Sequence, residues 1–378
     1  MNIGIPKEQD KFESRVAVTP ETVKKLISLK HNVFIENNAG LKSFISNDNY
    51  VSAGAVIVQT QEELYKKSNT IFKINPPSKE EIDYIQDNST LISFCQIKDE
   101  LDSLKKLITK KVTFFSMSHI PRTTIAQKMD ALSSQSNIAG YKAVLIGSDL
   151  AVKYMPLLMT AAGTIQPAKV LILGAGVAGL SAIATAKRLG AQVFAFDVRP
   201  VVKEQVESLG AKFIEVESDS DEGTGEGGYA KEVSDDYKKK QSMLIEEEMK
   251  KMDLVISTAL IPERPAPILI NTKMVESMKK GSVIMDLAAL NGGNCELTKK
   301  NEVINHNDII INGLVNLPGT MPLHASQLYA KNILNFVDHI YNEDQFDIEE
   351  EITKGSILLE QGAVKNETVN SFLEKGAN

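Results

Sequence analysis

The chain has 378 residues, of which 43% are hydrophobic, 24% charged and 6% aromatic, and its formal charge is −7. That composition excludes a disordered or collagenous chain, and the length predicts two domains. The negative charge argues against a nucleic-acid backbone or an anionic membrane surface as principal partner. Cys95 and Cys295 show no C-x-x-C or His-rich spacing, so they read as free thiols in a reducing cytoplasm.

Short apolar runs over residues 3–5, 33–36, 55–58, 70–74, 90–94 and 112–117 predict strands separated by helices. Thr19-Pro20-Glu21 marks the first helix start, where a hydroxyl can cap free N–H groups and proline fits the first turn. Residues 116–164 are mostly helical in pattern but open on the polar loop SHIPRTTIAQKMD. A second series of strands follows over residues 170–173, 192–196, 212–216, 254–257, 282–287 and 308–312, with helices running to residue 189 and from Pro200. This alternation implies parallel sheets. The expected fold class is α/β, with two Rossmann-like doubly wound parallel-sheet domains and a cleft between them.

Residues 326–341 have helical apolar spacing, and this helix is expected to pack back on the first module. The expected domains are residues 1–140 with 322–378, and residues 141–321. Residues after 341 have only a generic pattern. Residues 217–240 (ESDSDEGTGEGGYAKEVSDDYKKK) are too acidic and glycine-rich to bury a core, and read either as a solvated loop or as a mobile lid carrying Tyr229. The N-terminus lacks a signal-peptide core. The uncharged stretch 170–186 is interrupted by glycines and reads as strand, turn and helix rather than a membrane span.

That stretch carries the sharpest motif. Gly174, Gly176 and Gly179 form G-x-G-x-x-G between a strand and a helix, and Asp197 ends the next strand about twenty residues on. The glycines suit a tight turn, a close pyrophosphate and close helix packing, while the carboxylate can accept the adenosine ribose hydroxyls. This favours NAD(H) over NADP(H), with Arg199 the one countersign. The loop at 257–262 exposes Leu260 where a cofactor face can lie, and the loop at 285–293 is a second such junction or a plain turn. His31, His119, His306, His324 and His339 form no ligand spacing, and no Ser/His/Asp order is present. Hydride transfer between two nicotinamides needs no protein acid or base, only positioned rings.

The segments IGIPKE, SRVAVTP, SFISNDNYVSAGA, PRTTIAQKMDALSSQSNIAGYKAV, LILGAGVAGLSAIATAKRLGA, VISTALIPERPAPILI, MDLAALNGGN and SQLYAKN together resemble the NAD(H)-binding α subunit of proton-translocating NAD(P) transhydrogenase, a family related to alanine dehydrogenase. The resemblance runs from Met1 to about Tyr341. It implies hydride transfer from NADH to NADP⁺ held on a partner subunit, coupled to proton movement through a membrane-embedded partner. It also implies a homodimer and a cytoplasmic chain attached to the inner membrane only through its partners. The end at Asn378 is expected to mark a separate soluble α1 subunit.

By the same resemblance, Arg122, Gln127, Asp130 and Ser133 lie on a nicotinamide-side loop. There Arg122 can pair with Asp130, and Gln127 and Ser133 can hydrogen-bond carboxamide or ribose. Val177, Ala178 and Gly179, with Asp197, Val198 and Arg199, correspond to pyrophosphate and adenosine contacts. Gly228 and Tyr229 correspond to a mobile loop, and Gln241 and Leu260 complete the pocket. Alanine dehydrogenases share Arg15 and Lys73 on the substrate side but need a histidine and a further aspartate. Here those places hold Cys95 or Gln96 and Leu290, so Arg15 and Lys73 are expected to be structural ion-pair residues. The rival readings are an amino-acid dehydrogenase and a non-enzymatic NAD(H)-sensing module.

Overall fold

The computed structural model describes residues 1–216, 234–261, 263–342 and 345–375. They form two compact units, Met1–Gln135 with Pro318–Asn378, and Ser136–Leu317. The first unit opens with six parallel strands, β1 (Asn2–Ile5), β2 (Asn32–Glu36), β3 (Val56–Val58), β4 (Thr70–Phe72), β5 (Thr90–Ser93) and β6 (Thr113–Ser116). Their order is β3-β2-β1-β4-β5-β6, so the winding reverses between β1 and β4. All residues of β4, β5 and β6 are buried, as parallel strands covered on both faces must be. Helix Pro20–Ser28 begins at the predicted proline, behind a capping box of Thr19 and Thr22 in which Thr22 Oγ1 accepts the Thr19 N–H at 2.9 Å.

Helix Ala131–Leu150 leads into the second unit. After it, β7 (Leu158–Thr160) and β8 (Gly163–Ile165) form an antiparallel hairpin where the sequence predicted mostly helix. The hairpin has no buried residue, so no core-facing apolar run announces it. Then come β9 (Lys169–Leu173), β10 (Gln192–Phe196), β11 (Lys212–Ile214), β12 (Leu254–Ser257), β13 (Val283–Asp286), β14 (Val303–His306) and β15 (Ile309–Asn312). Their order is β11-β10-β9-β12-β13-β15-β14, with only β14 antiparallel. The sequence missed β14 because this edge strand has no buried residue. The uncharged stretch 170–186 is strand β9, a turn and the start of helix Val177–Arg188. Residues 217–233 lie outside the described residues, but helix Asp235–Met249 starts inside the segment expected to be irregular. Its buried residues Tyr237, Gln241, Ile245 and Met249 recur every fourth position, and Ser234 Oγ accepts the Tyr237 N–H at 3.3 Å.

The chain then returns to the first unit. Helix Pro322–Ile340 buries Tyr329, Ile333, Phe336 and Val337 in the core that contains Ile3, Phe72 and Phe115. It is followed by the hairpin β16 (Tyr341–Asn342) and β17 (Gln345–Phe346). Beyond it, β18 (Ile357–Glu360) joins β6 antiparallel, and β19 (Ala363–Val364) joins β18. The C-terminal residues, generic in sequence, thus extend the first sheet to eight strands. Among the described residues no helix is long and apolar enough to cross a membrane.

Where the first sheet reverses, charged side chains fill the space between loops. Lys73, 1% exposed, sits 2.8 Å from Glu81 and 3.4 Å from Glu8. Arg15 is bidentate on Glu13, at 2.7 and 2.8 Å, and donates to Gln135 Oε1 at 2.9 Å. This is the ion-pair network that the sequence reading assigned to Arg15 and Lys73. A cavity of about 720 Å³ opens beside it, lined by Glu8, Lys73, Asn75, Ser78, Lys98 and Asp102 among others.

The two acids respond oppositely to this setting. Burial pushes the Glu8 carboxyl above the ordinary 4.5, with Lys73 only partly opposing it. Burial also acts on Glu13, but the Arg15 guanidinium outweighs it and leaves Glu13 below 4.5. Glu13 therefore contributes stability at neutral pH that is lost as pH falls through its lowered value. The contribution of Glu8 is complete below 4.5 and lost as pH rises through its raised value. In urea unfolding at pH 7, Glu13→Gln is expected to cost about 3 kcal/mol and Glu8→Gln less than half as much. The Glu13→Gln deficit should shrink below pH 4.5. Equal costs at pH 7 would contradict this assignment.

Candidate functional site

In the second unit the winding reverses between β9 and β12, so the loops leaving the carboxyl ends of these two strands flank the position where open α/β sheets bind ligands. Gly174 follows β9 with φ +100°, which an L side chain rarely adopts. Its N–H donates to Phe196 O at 2.8 Å, and Thr258 Oγ1 donates to its carbonyl at 3.1 Å. A Cβ on Gly179 would overlap the Gly174 carbonyl oxygen, so helix Val177–Arg188 is packed on the turn as closely as backbone permits. Gly176, by contrast, faces open space, with nothing within 4 Å of where its Cβ would be.

Gly176 is the N-cap of that helix, whose first turn has no side-chain cap and no acidic residue, while Lys187 and Arg188 occupy the last turn. The N–H groups of Val177, Ala178 and Gly179 thus form a positive helix end beside an open glycine face. An end of this kind can accept an anionic group.

Asp197 follows β10. Its Oδ2 accepts the Ala175 N–H at 2.7 Å and an Arg199 guanidinium N–H at 2.8 Å; its Oδ1 accepts the Arg199 backbone N–H at 2.9 Å and Nε at 2.8 Å. Hydrogen bonding to Asp197 raises the Arg199 pKa. In the structure this carboxylate, expected from sequence to face a ribose, ties the glycine turn to the next strand. Val198 packs against the cluster that contains Leu173 and Phe196.

Leu260 is 47% exposed on the loop after β12. That loop is clamped by Asn294, whose Oδ1 accepts the Ala259 N–H at 3.1 Å and whose Nδ2 donates to Ala259 O at 2.9 Å. Asp286, buried at the end of β13, accepts from Ser257 Oγ, Ala288 N, Cys295 N and Thr298 Oγ1. These supports were not singled out from sequence, nor was Gly140, where a Cβ would overlap the Ala178 carbonyl oxygen. Gln241 lies on the buried face of its helix. Gly228, Tyr229 and Pro262 lie outside the described residues.

Arg122, Gln127, Asp130 and Ser133 belong to the first unit. The 3₁₀ turn Ile125–Met129 is anchored by buried Ala126 and Met129, and leaves Gln127 exposed. Asn332 and Asn335 both donate through Nδ2 to Lys128 O, at 3.0 and 3.2 Å. The sequence allows Asp130 to pair with Arg122. In the structure the Asp130 carboxylate accepts the Ser133 N–H at 2.8 Å and the Ser133 hydroxyl at 2.6 Å, opening helix Ala131–Leu150. Both cysteines are buried, and burial pushes the Cys295 thiol up to about 11. Among the described residues no group of three His, Cys, Asp or Glu side chains is placed to hold a metal ion.

Comparison with known proteins agrees with this geometry. The N-terminal domain model of alanine dehydrogenase/PNT matches residues 4–139, and the C-terminal domain model matches residues 143–367. The chain is 42% identical over 375 residues to the first part of NAD(P) transhydrogenase subunit alpha from Rhodospirillum rubrum, covering 96% of this chain and 97% of that one. A crystal structure of transhydrogenase from Sinorhizobium meliloti superposes with a TM-score of 0.85 at 39% identity, covering 97% of this chain and 100% of that one. An L-alanine dehydrogenase structure superposes with a TM-score of 0.84 at 25% identity, covering 99% of each chain. The chain belongs to the alanine dehydrogenase/PNT family.

Proposed function

We propose that this chain is the NAD(H)-binding component of a proton-translocating NAD(P) transhydrogenase. The observation that carries the reading is the open glycine cradle at the helix N-terminus, completed by Asp197, in a chain 42% identical to a transhydrogenase α subunit along nearly its whole length. When bound, NADH supplies a hydride from its nicotinamide C4 to NADP⁺ held on a partner subunit. The chain's own residues bind and orient. Val177, Ala178 and Gly179 direct N–H groups at the pyrophosphate, and Asp197 takes the adenosine ribose, with Val198 and Arg199 beside it. Gln241 and Leu260 are assigned to the same pocket, and the roles of Gly228, Tyr229, Arg122, Gln127, Asp130 and Ser133 towards the nicotinamide are carried over from the family resemblance alone.

An amino-acid dehydrogenase is disfavoured by chemistry. The resemblance puts that activity's histidine at Cys95 or Gln96 and its ammonium-side aspartate at Leu290. Cys95 is a buried thiol, and Leu290 is an exposed aliphatic side chain on a 3₁₀ turn. Gln96 and Leu290 carry no titratable proton, and none of the three supplies the imidazole or the ammonium-side carboxylate that this activity needs.

The chain is further proposed to act as a homodimer, cytoplasmic and held at the inner membrane through its partner subunits. The β7–β8 hairpin supports the dimer. Met159 is 72% and Ile165 47% exposed on a two-stranded element that has little stability alone, and Val152 and Leu157 are exposed nearby.

The deciding experiment mixes the purified chain with the NADP(H)-binding partner subunit. NADH-dependent reduction of an NADP⁺ analogue is expected; none would leave an NAD(H)-sensing module, and steady reduction of NAD⁺ by alanine without the partner would overturn the family role. Gly179→Ala forces the helix off the turn and is expected to weaken NADH binding at least about tenfold in a fluorescence titration. In light scattering, Met159→Glu with Ile165→Lys is expected to yield monomers that still bind NADH. A persistent dimer would remove the hairpin from the interface.

A further inference from the structure

We propose that three residues from the end of the chain, Asn332, Asn335 and Gly355, are positioning residues for hydride transfer, because they set the place of the loop that carries Arg122 and Gln127. The inference rests on the transhydrogenase reading above and deepens it. That reading gives the loop its task, and the first unit by itself shows what holds the loop.

The loop leaves β6 and runs to the start of helix Ala131–Leu150. Its own hydrogen bonds join near neighbours: the Thr123 N–H donates to Pro121 O at 3.0 Å, and the Asp130 N–H to Gln127 O at 3.3 Å. Bonds of this kind fix how a segment curls and leave its place in the fold open. Helix Pro322–Ile340 supplies the place at one end. Asn332 and Asn335 both donate to Lys128 O, at 3.0 and 3.2 Å, so that one carbonyl spends both lone pairs on a single helix. Ile333 and Phe336 of the same helix share a core with Ala126 and Met129, the buried side chains of the loop.

At the other end, helix Glu351–Ser356 lies against Pro121, the residue before Arg122, so closely that a Cβ on Gly355 would overlap the proline ring. That helix is fixed in turn. The Glu350 carboxylate accepts the Ile352 and Thr353 N–H groups at 2.7 and 2.9 Å, and β18, which follows, pairs with the strand the loop leaves. Gripped on its inner side, the loop leaves Arg122 and Gln127 exposed, with Ile125 64% exposed between them. A misplacement of about 1 Å can slow a reaction on the order of a hundredfold, so a loop that orients a nicotinamide has to be held by elements stiffer than itself. Asn332 and Asn335 hold backbone and Gly355 holds a proline ring, so substituting them moves the loop without altering its outward side chains.

The test follows NADH binding by fluorescence titration and amide hydrogen exchange of residues 119–130 in the full chain, and single-turnover hydride transfer to an NADP⁺ analogue once the NADP(H)-binding partner subunit is added. Asn332→Ala with Asn335→Ala, and separately Gly355→Val, are expected to speed exchange of the loop amides at least about tenfold and slow hydride transfer about tenfold to a hundredfold, with NADH affinity within about threefold. Asn335→Gln, which keeps an amide donor, is expected to retain most of the rate that Asn335→Ala loses. Gly355→Ala takes the place of Gly355→Val if the latter lowers the unfolding midpoint. Unchanged loop exchange overturns the proposal, as does faster exchange with an unchanged transfer rate, or faster exchange spread equally over the first unit. No hydride transfer by the unmodified mixture would sink the transhydrogenase reading itself, whereas loop exchange across the variants still decides whether these residues hold the loop.

Discussion

The contact that the second unit depends on is the one between the first turn of helix Val177–Arg188 and the end of β9, where a carbonyl oxygen occupies the space a side chain would need at Gly179. That approach decides where the helix N-terminus points. It also explains why three other groups converge on two residues of turn. Phe196 O holds the Gly174 N–H, Thr258 Oγ1 holds the Gly174 carbonyl, and Asp197 holds the Ala175 N–H. A turn fixed from three directions has little conformational freedom left to lose, and this is how backbone donors come to be aimed before a ligand arrives.

The two units solve the same topological problem with opposite chemistry. Both sheets reverse between their first and fourth parallel strands, and each leaves a crevice there. In the second unit glycines vacate it. In the first, Glu8, Glu81 and Lys73, with Glu13 and Arg15 close by, crowd it with buried charge. An internally paired crevice gives an incoming carboxylate no uncommitted cation at Lys73 or Arg15, and so the shared fold says less about substrate than the side chains at its reversal.

The parts legible in sequence were those whose physics is local. The glycine motif, Asp197 and the central parallel strands announce themselves through short spacings and continuous apolar runs, and the cap at Pro20 lies in a few residues. What stayed hidden depends on pairing across the chain. Thr258, Asn294, Asp286 and Gly140 support the site from strands and a helix far away in sequence. The β7–β8 hairpin and β14 have no buried residue to set a pattern, and β18 takes its place only by pairing with β6, far away in the chain. Asp130 and Ser133 were both singled out on one loop, but that one caps the other became visible only once a helix was seen to start between them.

The return of the chain to the first unit sets an order of events on the ribosome. Strand β6 emerges early, yet the strand that covers its edge, β18, is made only after the whole second sheet has been synthesised. Until then β6 presents unpaired backbone groups, and the core lacks Tyr329 and Phe336. The second unit, with its strands contiguous in the chain, can close while the first waits. The unit whose residues appear first is therefore the last to be finished, and the nascent chain carries a sticky sheet edge through most of its synthesis.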